Sequence, residues 1–370
     1  MQITPEPDPF HGIPQGAGIL LAFSGGIDSA AAAWLCSRAG FRVFPVYLRM
    51  NPADPPEGPD RMRRTAEALG LSVTVLDCVD RFREEVMGLC CRIFESGRTP
   101  NPCVLCNPLF KFGLLREYGL KTGCAAMATG HYARRNRSRD GAGGGGPVLF
   151  RGADPAKDQS YFLYGLSAEQ LDYCCFPLGN MTKNEVRTLV RDLDLPNAQA
   201  KESQDVCFVP PGEQAGEYLH RFFHCPDRPG RFVDMTGRVL GRHGGIHAFT
   251  PGQRKGTGVA LGRPAYVRSL DPVRGDIVLT DDPAMLMSRR FRVDQLRLSG
   301  AVSSGPEKFR ADVQIRYRGR PAPAEVTKIS PGSAVVCFEE PQRAITPGQA
   351  AVFYDGIRQL GGGIIAETEF

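Results

Sequence analysis

"GILLAFSGGIDSAAAAWLCSRAG", residues 18–40, is the stretch whose reading decides the fold. Ile19 to Phe23 is a short apolar run bounded by glycines, which reads as a buried strand. The segment after it reads as a helix ended by Gly40. In the turn between them, Gly25 and Gly26 let backbone N–H groups approach an anion with no Cβ in the way. Ser24 and Ser29 add hydroxyl donors, and the helix N-terminus adds partial positive charge. Asp28 would repel a bare phosphate, so it is expected to face a bound Mg2+ or to cap the helix. Neither GxxxxGK[ST] nor GxGxxG is present, so the loop is of another kind.

The pattern continues outward. FRVFPVYLRM (41–50) reads as a second strand, RMRRTAEALG (61–70) as a helix and LSVTVLDC (71–78) as a third strand. CAAMATGHYA (124–133) adds a strand whose polar end is at 129–132. Strand and helix alternate, which predicts an α/β, Rossmann-like doubly wound parallel sheet with ligands at the carboxyl ends of its strands. After residue 212 short strands and turns dominate, and from about 286 the pattern is all β, as in a small barrel or sandwich. The expected division is a flexible leader (1–17), a catalytic α/β unit (18–212), a small central or linker unit (213–285) and a C-terminal β-barrel (286–370), with no internal repeat.

The chain of 370 residues is 42% hydrophobic, enough for sizeable cores, and has no apolar run of transmembrane length. Its start has no basic region followed by an apolar one. Twelve cysteines without such a signal read as reduced thiols in a cytoplasmic protein rather than as a disulfide framework. Cys36, Cys78, Cys124 and Cys337 lie in apolar runs and read as small core residues. The adjacent pairs Cys90–Cys91 and Cys174–Cys175 make poor chelators without a partner. Cys225 stands near His220 and His224, a trio that suits a metal, although a solvated helix end is the plainer reading.

The net charge of +5 says less than its distribution. Arginines cluster at 134–139 and at Arg316, Arg318 and Arg320, a local excess that suits a polyanion or simply a solvated surface. If 313–318 is a strand, Arg316 and Arg318 share one face and Tyr317 the other. FTPGQRKGTG (249–258) reads as a flexible cationic turn near a domain seam.

TPNPCVLCNP (99–108) holds Cys103 and Cys106 three positions apart between prolines. A CxxC can be half a zinc site, a redox pair, part of an iron–sulfur site, or a nucleophile with a neighbour. A second CxxC is missing, which weakens a closed zinc site, and the flanking prolines suit a thioredoxin-type pair poorly. A further thiol, Cys207, stands in KESQDVCFVP.

SGGxDS after an apolar strand resembles the PP-loop of N-type ATP pyrophosphatases. The resemblance implies cleavage of ATP between its α- and β-phosphates and adenylation of a carbonyl oxygen. TPNPCVLCN, ATGHYA, KDQSYFLYGL, SQDVCFV, FTPGQRKGTG, VQIRYR and AITPGQAAVFYDG, with that loop, closely resemble the bacterial tRNA-specific 2-thiouridylases, in order from about residue 18 to 365. The implied reaction replaces oxygen by sulfur at C2 of the wobble uridine of tRNA. By this resemblance ATP, with Mg2+, is held at Ala22, Phe23, Ser24, Gly25, Gly26, Ile27, Asp28 and Ser29, with Leu48 and Gly130 in the nucleotide pocket. Cys106 matches the nucleophile and Cys207 the persulfide carrier, leaving a Cys106–Cys207 disulfide to be reduced. Asn101, Pro102 and Cys103 match the substrate-facing triplet. His131, Lys157, Asp158, Gln159, Arg316, Tyr317 and Gln349 fall in motifs that resemble tRNA contacts. The implied partners are tRNA and a sulfur donor, either a persulfide carrier protein or sulfide, and no membrane.

Many members of that family have aspartate where this chain has Cys103. Cys103, Cys106 and Cys207 are therefore also a ligand set for a [4Fe–4S] cluster with one open iron, which would deliver sulfide without a persulfide. Two other readings compete with thiolation. Another PP-loop enzyme, such as an amidotransferase-like synthetase or a lysine-adding tRNA enzyme, would not need three thiols. A non-catalytic RNA-binding protein with a structural metal would leave the nucleotide loop unused.

Overall fold

The computed structural model describes residues 4–136, 146–196, 206–259, 262–299 and 301–369. The N-terminal part contains β1 (Gly18–Ala22), β2 (Arg42–Arg49), β3 (Thr74–Asp77), β4 (Ala126–Ala128), β5 (Ala133–Asn136), β6 (Val148–Arg151) and β7 (Cys174–Cys175). Five of them form one sheet, order β3-β2-β1-β4-β7, with every pairing parallel. Alternate residues serve opposite faces. Leu20, Val46, Leu48 and Met127 enter one core, and Ile19, Leu21, Ala126 and Ala128 enter the other. On the second face lies α1 (Ile27–Arg38), whose Ala30, Ala31, Ala32 and Ala33 are fully buried; their small size lets the helix lie close to the sheet. Strand order reverses between β1 and β4, which opens a crevice at their carboxyl ends. The doubly wound sheet expected from residues 18–133 is the one observed.

Residues 4–16 are packed, which corrects the expectation of a flexible leader. Phe10 lies 5.1 Å from the Phe41 ring, Ile13 is buried, and Glu6 N–H donates to Arg135 O at 3.0 Å. Two apolar side chains in a polar stretch suffice to dock it. The basic stretch at 134–139 is not wholly a loop. Arg134 and Arg135 belong to β5, Arg134 donates to Arg151 O at 2.7 Å, and Arg135 is buried, while 137–139 lie outside the described residues.

The central part is a four-stranded sheet of β8 (Gly230–Val233), β9 (Val239–His243), β10 (Tyr266–Asp271) and β11 (Asp276–Thr280), order β10-β11-β8-β9, around Phe232, Val267, Ile277 and Leu279. The C-terminal part comprises β12 (Met287–Leu298), β13 (Lys308–Gln314), β14 (Ala322–Ser330), β15 (Ser333–Arg343), β16 (Ala350–Asp355) and β17 (Arg358–Glu369). These run β12-β15-β14-β13-β16-β17, and β12 pairs again with β17, so six strands close into an antiparallel barrel without free edges. Cys337 is exposed on β15 and is not a core residue as its apolar neighbours suggested; Cys36, Cys78 and Cys124 are buried.

Strand β17 pairs with β6 at Arg358 and Phe150, so the β5–β6 hairpin of the N-terminal part extends the barrel sheet. Beneath it lies a polar network. Asp158 accepts from Arg151 at 2.9 Å, from Gly152 N–H and Ser160 N–H at 3.0 Å each, and from Ser160 Oγ at 3.0 Å. The Arg151 guanidinium also lies 3.5 Å from the Tyr354 ring centre and donates to Gln314 Oε1 at 3.1 Å. Both members of the Arg151–Asp158 pair are largely buried, at 19% and 7% side-chain exposure. Removing the carboxylate leaves a buried cation and two N–H groups without their acceptor. We therefore expect Asp158→Ala to lower stability by about 3 kcal/mol or more in urea unfolding. A change within experimental error would show that this network does not hold the barrel to the hairpin.

Candidate active site

Nucleotide-loop geometry follows from close packing. Gly25 has φ +69°, and a Cβ there would come within 2.3 Å of the Cα of Met62 in α2 (Asp60–Ala68), so only glycine fits. Ser29 Oγ donates to Gly26 O at 3.0 Å and accepts from Ser24 N–H at 3.3 Å, which closes the turn on itself. Across the crevice Gly130 follows β4, and a Cβ on it would lie 3.0 Å from the carbonyl carbon of Asp28. The loop after β1 and the loop after β4 thus meet backbone to backbone.

Asp28 does not cap α1, whose N-cap is Gly26 without a side-chain hydrogen bond. Its Oδ1 instead accepts from the Tyr132 hydroxyl and from Lys183 Nζ, each at 2.7 Å. Lys183 begins the helix Lys183–Asp192 and its side chain is 7% exposed, so a buried cation stands directly behind the loop. Sequence reading missed it. The available signal was Thr182–Glu185, a capping box that fixes Lys183 at a helix start facing the sheet.

The thiol segment folds into α4 (Pro102–Cys106), preceded by α3 (Leu89–Glu95) and followed in the chain by α5 (Lys183–Asp192) and α6 (Ala215–Phe222). Pro102 starts α4, and Asn101 Oδ1 accepts from Val104 N–H at 3.4 Å as its N-cap. Pro108 has no N–H to give to Val104 O, and its ring cannot sit against that carbonyl. The chain widens there into a π-helical segment, Asn107–Leu114. That segment carries Lys111, which makes no hydrogen bond or ion pair among the described residues.

Cys106 is buried, with Sγ 4.0 Å from Sδ of Met50, just beyond Leu48 at the carboxyl end of β2. Burial pushes its thiol up to about 12; the Lys111 charge works against that, and Cys207 and Cys103 add to it. Cys103 is likewise raised by burial and lowered by Lys111. Cys207 is exposed at the surface, yet the protein around its thiol raises it, again opposed by Lys111, with Cys103 and Asp54 among the smaller contributions. The three thiols thus share one electrostatic neighbourhood centred on one ammonium. They do not form a cluster with all three sulfurs within 4.8 Å of one another among the described residues. Cys90 lies behind them, its thiol also pushed up to about 12 by burial and by Cys103 and Cys106.

Thr99, just ahead of the thiols, is held from three directions. Its hydroxyl bonds the Thr250 hydroxyl of the central part at 2.9 Å, its N–H donates to Pro347 O at 2.9 Å, and its carbonyl accepts from Gln349 Nε2 at 2.9 Å. Gln349 also donates to Pro100 O at 3.2 Å. The tetrapeptide TPGQ occurs at both 250–253 and 346–349, and both copies land on Thr99. That recurrence was legible and went unused.

The other expected site residues divide. Asp158 and Gln159 point inward: Asp158 into the network described above, and Gln159 Oε1 onto Tyr132 N–H at 3.0 Å. These bonds organise the loop through the Asp158 carboxylate and the Gln159 carbonyl oxygen. Gln349 has its amide bound to the 99–100 backbone. His131 Nδ1 bonds Thr129 Oγ1 at 2.8 Å, and burial with the Lys111 charge holds its pKa well below the usual range, so the ring is neutral at pH 7. Lys157 is half-buried beside Asp158. Strand β13 stops at Gln314, and 316–318 form a turn with Arg318 at φ +63° and Gly319 N–H on Arg316 O at 3.0 Å. The expected strand alternation of Arg316, Tyr317 and Arg318 therefore does not exist. The turn leaves Arg316 and Arg320 exposed and seats Tyr317 4.3 Å from the Phe162 ring, within electrostatic reach of Cys103.

A glycine turn at the switch point of a parallel sheet, facing a set of thiols, defines a PP-loop nucleotide-binding unit. Residues 17–211 match the family model described as the tRNA methyl transferase HUP domain, 217–281 the tRNA methyl transferase PRC-barrel domain and 288–365 the aminomethyltransferase beta-barrel domain. The tRNA-specific 2-thiouridylase MnmA of Syntrophotalea carbinolica is 40% identical over 357 residues, covering 94% of this chain and 98% of that one. Its namesake in Desulforudis audaxviator is 41% identical over 350 residues, covering 95% and 98%. The chain belongs to the tRNA-specific 2-thiouridylase family.

A thiol with a pKa of about 12 is almost wholly protonated at neutral pH. Alkylation of Cys106 by iodoacetamide, followed by peptide mass mapping, should therefore rise about tenfold per pH unit from 7 to 9 without a plateau. Lys111→Met should slow it further at every pH. A plateau below pH 8 would contradict the burial-dominated electrostatics.

Proposed function

We propose that this protein is an ATP-dependent sulfurtransferase that thiolates C2 of the wobble uridine of tRNA, working through units 18–212, 213–285 and 286–370. The observation that carries the reading is a nucleotide loop and three thiols near the carboxyl edge of one parallel sheet, with Cys106 Sγ 4.0 Å from Sδ of Met50, two residues beyond Leu48. ATP, with Mg2+, binds at Ala22–Ser29, and the backbone at Gly130 and the side chain of Leu48 border the nucleotide. Asp28, pinned by Lys183 and Tyr132, is the carboxylate nearest the phosphates.

The uracil O2 attacks the α-phosphorus, pyrophosphate leaves, and C2 carries an AMP leaving group. The terminal sulfur of a Cys207 persulfide then attacks C2 and AMP departs with the original oxygen. Cys106 thiolate attacks Cys207 Sγ, the S–S bond breaks, and its electrons stay on the sulfur bound to C2. A Cys106–Cys207 disulfide remains for an external thiol reductant. An exposed Cys207 thiolate can take the terminal sulfur of a carrier persulfide, releasing the carrier as a thiol, and a buried Cys106 suits a nucleophile kept neutral until needed. Lys111 lowers both thiols and so favours both thiolates. The exposed Arg316 and the ring of Tyr317, beside Cys103, form the rim where tRNA would arrive.

Cys103 in the same neighbourhood supports a second reading. Three cysteine donors suit a [4Fe–4S] cluster with an open iron, and such a group would supply bound sulfide as the nucleophile. The two routes part at one residue. Under the relay, Cys103→Asp retains thiolation, whereas Cys106→Ser and Cys207→Ser each abolish it while ATP still binds. We expect that pattern when tRNA nucleosides are analysed by mass spectrometry. Loss of thiolation in Cys103→Asp, with iron and sulfide in anaerobically purified protein, would replace the relay by the cluster. Retained thiolation in Cys106→Ser or Cys207→Ser would remove the role given to that residue.

A further inference from the structure

Glu95, His220 and His247 come from three separate stretches: the end of α3, α6, and the short turn Ile246–Ala248 of the central part. Their donor atoms all lie within 4.8 Å of one another. Nδ1 of His220 is 2.7 Å from Glu95 Oε1, and Nδ1 of His247 is 3.3 Å from the same oxygen. The two rings stack with centres 3.8 Å apart and planes 11° from parallel, so both present the same nitrogen to one side. Both histidines are buried, which corrects the reading of His220 as part of a solvated helix end. His224, the other histidine of the sequence trio, is not part of this group; it ends α6 at φ +50°.

On the far side of His220, Nε2 meets Asp227 Oδ1 at 3.1 Å. A metal-bound imidazole characteristically gives its other N–H to a carboxylate, which fixes the tautomer and points the bare nitrogen at the ion. Both nitrogens of His220 have carboxylate partners, and the tautomer with its proton on Nε2 leaves Nδ1 bare on the Glu95 side, as ligation of an ion would require. Glu95 also has Cys91 and Cys225 within 4.8 Å on its other side, their sulfurs 3.4 Å apart, so softer donors flank the group. A surface opening lined by Asp227, His243 and Phe249 reaches one of the three, His247.

We propose that Glu95, His220 and His247 bind one divalent transition-metal ion of the zinc class, which ties the central sheet to the helix leading into the thiol segment. Two imidazoles and a carboxylate are a donor set that selects zinc over magnesium or calcium. The site is distinct from the Cys103–Cys106–Cys207 neighbourhood, and its ion takes no part in the sulfur chemistry.

The test uses the full chain, stripped with a chelator and titrated with Zn2+ by calorimetry, alongside His247→Gln and Glu95→Gln. Two variants are used in case one fails to fold, and near-ultraviolet circular dichroism of the metal-free proteins checks folding. Because the active-site thiols can also take up zinc, the readout is the difference between wild type and variant. We expect each variant to bind one equivalent fewer and to lose the rise in Tm that zinc gives the wild type. Equal uptake and equal Tm response in wild type and variants would overturn the proposal. So would a wild type that takes up no zinc beyond what the active-site thiols hold.

Discussion

Three parts of the chain are fixed to one another through the backbone and side chain of Thr99. Its hydroxyl is bonded to Thr250 of the central part, and its N–H and carbonyl to Pro347 and Gln349 of the barrel. The residue stands one proline and one asparagine ahead of α4, so the position of Cys103 and Cys106 depends on those bonds. A hydrogen bond of this type contributes only about 1 kcal/mol net. Here three act on one residue, and a separate apolar cluster adds Val104 packed with Tyr161, Ala350 and Val352, on the face of β16 turned away from the barrel core. The barrel and central sheet are thus the splints of a loop whose chemistry belongs to the N-terminal sheet.

Electrostatics at the site are set by competition between burial and one cation. Burial raises all three thiols, and Lys111 opposes it at each. At rest burial wins, and Cys106 stays protonated and inert. Lys111 reaches this position because Pro108 interrupts the helix and converts the next two turns to π geometry.

The fold was largely legible because its signals are local. The apolar run 19–23, the alternating faces of β2 and β4 and the closing Gly40 all point to the same answer. What sequence could not give was long-range geometry. VQIRYR reads as strand, but Gln314 donates to Arg316 O and the chain turns. Asp158 falls in a motif that resembles tRNA contacts, but Arg151 from the paired hairpin captures its carboxylate. Lys183 and Lys111 were ordinary lysines until the sheet brought one to Asp28 and the helix distortion brought the other to the thiols. The Glu95–His220–His247 group spans 152 residues of sequence and has no spacing signature.

The account rests on nucleotide activation and sulfur attack occurring at the same carbon in the same pocket. The most direct test is isotopic. A tRNA substrate carrying 18O at C2 of its wobble uridine is thiolated in a single turnover, and the released nucleotide is analysed by mass spectrometry. Adenylation of that oxygen predicts one 18O in the phosphate of AMP for each thiouridine formed, by the persulfide or the cluster route alike. Unlabelled AMP, or label released into water or pyrophosphate, would contradict it.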